Sequence, residues 1–390
     1  MPSDPRFQAI RLGRRRFLGA SGLLGAGLVL GGSGFLAACG GGDDDGSGSG
    51  GGGEGGKLTF ENWPAYIDGA TVAEFTKASG IQLTYTEAYS DNNEYFAKVQ
   101  PELSRGNTIA ADIVAPTNWM AARWIQLEWA QKLPLDQIPN LVNLRDDLRN
   151  PATDPTGEFT LPWQTGITGV AYNLKTTGRE LTSVADLFDP AFKGKIGMLT
   201  EMRDTMGLVM LSEGIDPSTA DTFDKAAPAF DKLEQAKSDG QIRAFTGNDY
   251  LDDLAQGNFA ACVGWSGDVL QLTKDNPDVR FVIPEEGGMS WFDTMLWVAG
   301  SKATAADVAA WMDYVYDPVN AARITAEVQY VSPVKGVQEE LRKAADTAAL
   351  ADDPLLFPDD ATLGRLKVFA RLSEEEEAKF DEAFASITGA

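Results

Sequence analysis

Apolar and polar positions repeat with two different periods along this chain, and segments of one period alternate with segments of the other. Segments with a period of two are typical of strands, and segments with apolar residues three and four apart are typical of helices. The first such elements are predicted at residues 57–61, 70–78, 81–85, 94–103, 111–115 and 119–129. Strands that alternate with helices form mostly parallel sheets with right-handed crossovers. The pattern therefore predicts an α/β fold in which ligands lie beyond the carboxyl ends of the strands.

The pattern changes between residues 161 and 173, which is typical of a chain that crosses from one lobe to another. Beyond it, strands and helices are predicted at residues 195–199, 206–212, 229–237, 259–265, 279–283, 294–298, 337–348 and 374–387. A further helix carries Val308, Trp311, Met312 and Val315 at core spacing. About 334 residues follow residue 56, which suits two lobes better than a single core.

An apolar N-terminus with arginines at its start precedes these elements. Residues 14–18, Arg-Arg-Arg-Phe-Leu, look like the core of a twin-arginine export signal. The glycine-diluted apolar stretch that follows ends in Leu-Ala-Ala-Cys39, which resembles a bacterial lipobox. We predict that residues 1–38 are a cleaved lipoprotein signal and that Cys39 carries lipid. The alternative is an uncleaved anchor helix with an incidental Cys, and both alternatives place the domain outside the membrane. With lipid on Cys39, the domain is predicted to be exported and lipid-anchored at the outer face of the cytoplasmic membrane or periplasmic.

A tether separates the lipid site from the folded chain. After Cys39, residues 40–56 are only Gly, Asp, Ser and Glu. Such a segment has no apolar surface to offset the entropy of ordering, so residues 39–56 are predicted to contribute reach rather than chemistry.

The charge of the chain limits the kinds of molecule that it can bind. The formal net charge is −24, and the predicted signal is basic, so the mature chain is near −28. Such a surface repels nucleic acid and attracts cations, although solubility or adaptation to salt would also explain it. The chain contains no histidine, which removes the commonest metal ligand and the usual nucleophile-histidine triads. We predict no metal site, no cofactor and no enzymatic activity.

The two cysteines are predicted to have unrelated roles. Cys39 is assigned to the lipobox, and Cys262 lies in an apolar segment that is typical of a buried strand. No base is near Cys262 in the sequence, so a structural thiol is predicted rather than a nucleophile. Acylation of Cys39 leaves no partner for an internal disulfide.

Three segments place an aromatic residue beside a polar or acidic one at a predicted strand end: residues 62–66, 264–268 and 291–293. In the third, Trp291 and Asp293 are two apart and share a strand face. Indole walls and carboxylates suit a slender organic cation, through cation–π attraction and charge-assisted hydrogen bonds. Core packing is the alternative for each single tryptophan. A buried Asp293 needs a partner, which is either a ligand or an internal lysine or arginine.

Six motifs in register make residues 58 to about 333 resemble the bacterial polyamine-binding proteins, the spermidine/putrescine receptors of ABC importers. They are the Asn-Trp-x-x-Tyr of 62–66, the Asp-Ile-Val-Ala-Pro-Thr-Asn-Trp of 112–119, the Asp-Leu, Pro and Lys-Gly-Lys-Ile of 186–196, residues 264–269, residues 284–293 and the Gln-Tyr-Val-Ser-Pro of 329–333. The resemblance implies a two-lobe clamshell of the type II periplasmic-binding-protein class, with mostly parallel sheets flanked by helices. It implies that residues 57–163 and 292–338 form the first lobe and that residues 164–291 and 339–390 form the second.

The resemblance also implies roles for site residues. Those that would line the cleft with aromatic rings are Trp63, Tyr66, Trp265, Trp291 and Tyr330. Those that would hold amino groups or stand beside them are Asp268, Asp293, Thr117, Trp119 and the Glu201 to Asp204 segment, where Glu-x-x-Asp is a swapped version of a family pair.

These acids suggest room for three amines, which favours spermidine over putrescine. Two departures from the family stand out. Pro64 replaces a polar residue and removes a backbone donor, and the chain beyond Asp352 is divergent, so a late contact of the family has no assigned residue.

The function implied is that of a receptor that closes on a polyamine and delivers it to membrane permease subunits of an importer. Other cargoes of the same receptor class, such as a sugar, an amino-acid-like amine or iron, stay open at this stage. So does a carboxylate-based glycosidase, because paired acids beside tryptophans also occur in sugar sites.

Overall fold

The structure, a computed structural model, describes residues 56–389. The predicted signal, Cys39 and the tether up to residue 55 lie outside the described residues. Ten strands form within residues 56–389: β1 Lys57–Asn62, β2 Gln82–Glu87, β3 Ile113–Val114, β4 Thr160–Asn173, β5 Ile196–Leu199, β6 Ile242–Thr246, β7 Ala261–Trp265, β8 Val279–Val282, β9 Gly288–Trp297 and β10 Leu366–Lys367.

Helices connect these strands and cover the sheet. The α-helices in the described residues are α1 Thr71–Ser79, α2 Asn92–Leu103, α3 Asn118–Gln126, α4 Leu174–Thr177, α5 Met202–Ser212, α6 Phe223–Ser238, α7 Tyr250–Gln256, α8 Ser266–Asp275, α9 Ala305–Val315, α10 Pro318–Val328, α11 Val337–Arg342, α12 Asp360–Leu363 and α13 Glu374–Thr388. None of the helices between residues 56 and 389 combines the length and apolar character needed to span a bilayer.

The sheet consists of two mostly parallel parts joined by two long strands. Its order is β2-β1-β3-β9-β4-β7-β5-β6, with β10 beside β9 and β8 beside β4. In one part β1 pairs in parallel with β2 and β3, and in the other β5 pairs in parallel with β6 and β7. The antiparallel pairs all involve β4 or β9, which pair with each other and run through both parts. The strand-helix alternation of the sequence therefore predicted the parallel pairs correctly.

The long strand β4 accounts for the change in pattern at residues 161–173. All fourteen of its residues are buried, and the register against β9 shifts between Pro162 and Gln164. Proline has no N–H to donate to a ladder, so a bulge at this point is its usual accommodation. Residues 161–173 therefore belong to one continuous strand that joins the two parts of the sheet.

Every element predicted from the sequence beyond residue 56 is present, but several ends differ. Helix α3 ends at Gln126 rather than at residue 129, because Glu128 takes a left-handed conformation with φ 60°. Helix α11 ends at Arg342, where the Thr347 hydroxyl donates to the Leu341 carbonyl and a short 3₁₀ helix, Ala348–Asp352, follows. Strand β9 begins at Gly288, six residues before the predicted start, so it includes the Trp291 to Asp293 segment. The sequence pattern missed α4, β6, α7, α8, α10, β10 and α12.

The core lies between the sheet and its helices. The predicted core face of α9 is confirmed, because Val308, Trp311, Met312 and Val315 are all buried. Cys262 is fully buried in β7, and burial raises the pKa of its thiol, which suits the structural role predicted for it.

The ends of parallel strands bring the chemistry together. Trp63 directly follows β1, and Thr117 lies at the N-cap of α3 just after β3. Glu201 is the N-cap of α5 after β5, and Asp268 lies in the first turn of α8 after β7. Because the carboxyl ends of these strands face one region, four segments far apart in sequence surround one space.

Candidate functional site

That space is a cavity of about 1040 Å³. All eleven binding residues predicted from the sequence line it: Trp63, Tyr66, Thr117, Trp119, Glu201, Asp204, Trp265, Asp268, Trp291, Asp293 and Tyr330. The volume is in the range of pockets that enclose a small organic molecule.

Asp293 is a buried carboxylate with two neutral partners. Its Oδ1 accepts from the Thr117 hydroxyl at 2.7 Å, and its Oδ2 accepts from the Tyr66 hydroxyl at 2.8 Å. Thr117 and Asp293 also form a backbone bridge, which fixes the distance between β9 and the start of α3. Among residues 56–389 no lysine or arginine forms an ion pair with Asp293. The alternative that an internal lysine or arginine is its partner therefore does not hold within the described residues. Burial, assisted by the charges of Asp204 and Asp268, raises the pKa of Asp293 to about 7 against these two hydrogen bonds.

Asp268 has a similar environment on the other part of the sheet. Its Oδ1 accepts from the Tyr330 hydroxyl at 2.8 Å, and its Oδ2 accepts from the Asn248 amide at 3.0 Å. The Tyr250 hydroxyl lies 3.4 Å from the same Oδ2. Burial raises the pKa of Asp268 to about 6, although the three hydrogen bonds favour its charged form. Both Asp268 and Asp293 therefore lack a positive partner within the described chain.

Asp204 orients two tryptophan rings. Its Oδ2 accepts from Trp265 Nε1 at 3.3 Å, and its Oδ1 accepts from the Thr168 hydroxyl. The same Thr168 oxygen accepts from Trp291 Nε1 at 2.9 Å, so both indoles are held through one carboxylate. Burial raises the pKa of Asp204 to about 6, and hydrogen bonds from Thr168 and Trp265 and the charge of Arg203 oppose the rise.

Glu201 is buried, and one of its oxygens is already in use. Its Oε1 accepts from the Asn92 backbone N–H at 2.7 Å and from the Asn92 side-chain amide at 2.8 Å. Asn92 also donates to the Thr117 hydroxyl at 2.8 Å. Beside this contact, the Thr200 hydroxyl donates to Asp91 at 2.8 Å. Burial, followed by the charges of Asp91 and Asp204, raises the pKa of Glu201.

A continuous row of aromatic rings forms one wall of the cavity. Centroid distances are 6.0 Å from Trp63 to Trp265, 6.3 Å from Trp265 to Trp291, 5.7 Å from Trp291 to Tyr330 and 5.0 Å from Tyr330 to Tyr66. These are edge-to-face or tilted contacts, the geometry that aromatic pairs prefer. The row therefore lines the cavity with five rings, each in contact with the next.

Two glycines leave room for these rings. A Cβ at Gly166 would clash with the Trp291 ring, which lies across β4 at that residue. A Cβ at Gly267 would clash with the Tyr330 ring. Neither glycine has a special backbone angle, so close approach of a ring is the reason for each.

Trp119 lies apart from this row, and its ring face is covered. The guanidinium carbon of Arg203 is 3.8 Å from the centroid of the Trp119 ring. Arg203 Nη2 also lies 3.1 Å from Glu377 Oε1. Both Arg203 and Glu377 line the cavity, so this part of the wall carries an ion pair of the protein itself.

The described residues contain no group of three or more acidic or cysteine side chains close enough to hold a metal ion. The carboxylates of the cavity are instead separated by hydroxyl, amide and indole donors. This arrangement suits a ligand that carries its positive charges on separate atoms.

Comparison with known proteins identifies the family. The model of the bacterial extracellular solute-binding proteins matches residues 70–358. This chain belongs to that family. The solute-binding protein therefore works outside the cytoplasm, and its class is one of binding proteins rather than of enzymes.

Curated relatives and a solved structure resemble this solute-binding protein over most of its length. Spermidine/putrescine-binding periplasmic protein 1 of Haemophilus influenzae is 26% identical over 300 residues, which is 76% of this chain and 79% of that protein. The putrescine-binding periplasmic protein PotF of Escherichia coli is 28% identical over 320 residues, which is 77% of this chain and 83% of that protein. The solved spermidine/putrescine ABC transporter substrate-binding protein PotD of Streptococcus pneumoniae superposes with a TM-score of 0.69 at 24% identity, over 86% of this chain and 99% of that one. The predicted two-lobe type II clamshell and the predicted family resemblance are confirmed, whereas the residue limits of the lobes stay a prediction.

Sequence reasoning missed several residues that shape the site of this solute-binding protein. Asn92, Thr168, Asn248 and Tyr250 donate to its carboxylates, and Arg203 covers Trp119. The divergent C-terminal part also reaches the cavity, through residues 368–374, 377, 378 and 381. The signal available for Arg203 was its position inside the Glu-x-x-Asp segment; the others lie in ordinary helices, strands and loops.

Proposed function

We propose that this solute-binding protein is the polyamine receptor of an ABC importer. The observation that carries the proposal is the pair of buried carboxylates, Asp268 and Asp293, in one aromatic cavity with only neutral partners of their own. Each keeps its pKa raised because nothing positive replaces the water that burial removed. A slender alkyl chain with an ammonium group at each end would supply that charge to both carboxylates. The names of the relatives, which bind spermidine and putrescine, support the same cargo.

The aromatic row and the carboxylates would divide the ligand between them. The faces of Trp265, Trp291 and Tyr330 cover the methylene groups and attract the adjacent ammonium groups by about 0.5–2 kcal/mol each. Asp268 and Asp293 accept charge-assisted hydrogen bonds from the ammonium hydrogens. This mode of recognition needs no bond to break, and we propose that the cargo is bound and released unchanged.

Closure of the clamshell would couple binding to transport. The contacts of Asn92 with Glu201 and of Asp91 with Thr200 join segments that the sequence assigns to different lobes. A ligand that touches Asp293 of one predicted lobe and Asp268 of the other binds the closed form better than the open one and therefore shifts the population toward it. We propose that the closed form docks on membrane permease subunits and that a separate cytoplasmic subunit hydrolyses ATP.

Attachment to the membrane belongs to the same proposal. We propose that the chain is exported through its twin-arginine signal, cut before Cys39 and held at the outer face of the membrane by lipid on that residue. The tether of residues 39–56 would let the receptor reach its permease.

A ligand screen tests the cargo. The unfolding temperature of the purified protein is measured with putrescine, spermidine, neutral sugars, neutral amino acids or iron. The affinity of each ligand that shifts this temperature is then measured by calorimetric titration. Polyamines should raise the unfolding temperature and bind with Kd at or below about 1 μM, since any ligand that binds only the folded state stabilises it. Stabilisation by a sugar, an amino acid or iron with no response to polyamines would overturn the proposal.

A further inference from the structure

One stretch of the cavity wall already holds a cation. The Arg203 side chain is only 11% exposed, and its guanidinium carbon is 3.8 Å from the centroid of the Trp119 ring and 5.8 Å from that of the Phe369 ring. The ion pair with Glu377, at 3.1 Å, holds it there across 174 residues of sequence. An arginine held by an aromatic face and a carboxylate is well fixed, since each contact stabilises the other.

These partners are the ones that an ammonium group of the ligand would use. An aromatic face and a carboxylate are also what Asp293 and the aromatic row provide elsewhere in the cavity. Arg203 occupies Trp119 and Glu377, and the half-buried Asp381 lies within its electrostatic reach on the same side. An ammonium group could enter this stretch only by displacing the guanidinium from both contacts.

The remaining acids provide two places for ligand charge rather than three. Asp268 and Asp293 have only neutral donors. Glu201 and Asp204 also have neutral donors, but they stand in the same short segment as Arg203, whose charge already acts on Asp204. The sequence suggested room for three amines because it treated both acids of the Glu-x-x-Asp segment as open.

We propose that Arg203 is a specificity-determining residue: it acts as an internal third cation in the cavity and restricts the cargo to alkyl diamines, so that triamines are disfavoured. The inference rests on the proposed function, because it specifies which polyamine the same site accepts. One ammonium group of the diamine lies at Asp293 and the other at Asp268. The third amine of spermidine would then lie beside Arg203, a like charge.

The test is the ratio of Kd values for spermidine and putrescine, measured by calorimetric titration. The native protein should bind spermidine about tenfold or more weakly than putrescine, the scale of an unfavourable contact between like charges. In Arg203→Ala, where Trp119 and Glu377 become free, the ratio should fall by about tenfold or more. In Arg203→Lys, which keeps a cation at this position, the preference for putrescine should remain.

Arg179→Ala is the matched control. Arg179 also lies over an aromatic ring, that of Phe192 at 5.3 Å, and pairs with acids, but it does not line the cavity. Its ratio should equal that of the native protein, and unfolding temperatures check that each variant is folded. Tighter binding of spermidine by the native protein, or an unchanged ratio in folded Arg203→Ala, would overturn the inference alone. Failure of both amines to bind the native protein would overturn the proposed function and the inference with it.

Discussion

Acidification should release a polyamine from this receptor, and Asp293 should be the main reason. The carboxyl of Asp293 has a pKa of about 7 in the empty cavity because it is buried without a cation. A bound ammonium group favours the ionised form, so binding must remove the proton from any carboxyl that still holds one. An alkyl amine stays protonated throughout the range from pH 5 to 7.5, so the ligand itself does not titrate.

The size of the effect follows from the pKa. At pH 5, removing the proton from a carboxyl with a pKa of about 7 lowers the affinity for the ligand about 100-fold, which is about 2.7 kcal/mol. Asp268, with a pKa of about 6, adds about tenfold at the same pH. Putrescine should therefore bind roughly 1000-fold more weakly at pH 5 than at pH 7.5 if both carboxylates contact it.

Calorimetric titrations between pH 5 and 7.5, in two buffers with different ionisation enthalpies, give the affinity and the number of protons released. About half a proton should leave Asp293 on binding at pH 7. Asp293→Asn should bind about tenfold or more weakly at pH 7.5 and show a shallower pH dependence. Asp231→Asn changes an exposed acid on α6 and should follow the native curve. An affinity for putrescine that does not change over this pH range in the native protein would refute the reasoning.

The same pKa has a consequence for the stability of the empty protein, with the opposite sign. The folded state holds the Asp293 proton more tightly than the unfolded state, whose pKa is near 3.8. This group therefore stabilises the fold below about pH 4 relative to neutral pH, and the contribution is lost as the pH rises to about 7. Urea unfolding without ligand should show Asp293→Asn to be more stable than the native protein at pH 7.5, by up to about 4 kcal/mol.

Two further predictions concern closure and anchoring. Asn92→Ala removes the side-chain amide that donates to the buried Glu201 carboxylate and leaves only the backbone N–H of residue 92 as its donor, a cost of about 1–3 kcal/mol. The variant should bind putrescine about tenfold more weakly, whereas the exposed neighbour Asn93→Ala should bind normally. Equal affinities of these two variants in calorimetric titration would contradict a closing role for the contact. Cys39→Ser should abolish labelling with a radioactive fatty acid and leave the protein in the soluble fraction of cells; continued labelling would exclude Cys39 as the lipid site.

The sequence by itself determined which residue types stand at the ends of the strands. The period-two segments ending before Trp63, Thr117, Glu201 and Asp268 require only local patterning, and the carboxyl ends of parallel strands within one part of the sheet lie at one edge. Strands β1 and β3 run opposite to β5 and β7, because β4 and β9 are antiparallel to each other and to their neighbours β7 and β3. All eleven predicted site residues line one cavity because these two long strands join the two parts of the sheet, which local patterning alone does not determine. The apolar period also sufficed for the core face of α9, because burial of one helix side is a property of its own sequence.

Only the tertiary structure decided what each acid has as its partner. Asn92 donates to Glu201 across 109 residues, and Glu377 holds Arg203 across 174. No local pattern encodes such pairs, since a hydrogen bond or an ion pair forms wherever folding brings two groups within about 3 Å of each other. The same sequence motif, Glu-x-x-Asp, therefore contains one acid filled by an amide, one that orients indoles and, between them, an arginine that takes a place in the cavity wall. Packing between distant segments therefore decided which carboxylates have no positive partner in the described chain and can bind a ligand cation.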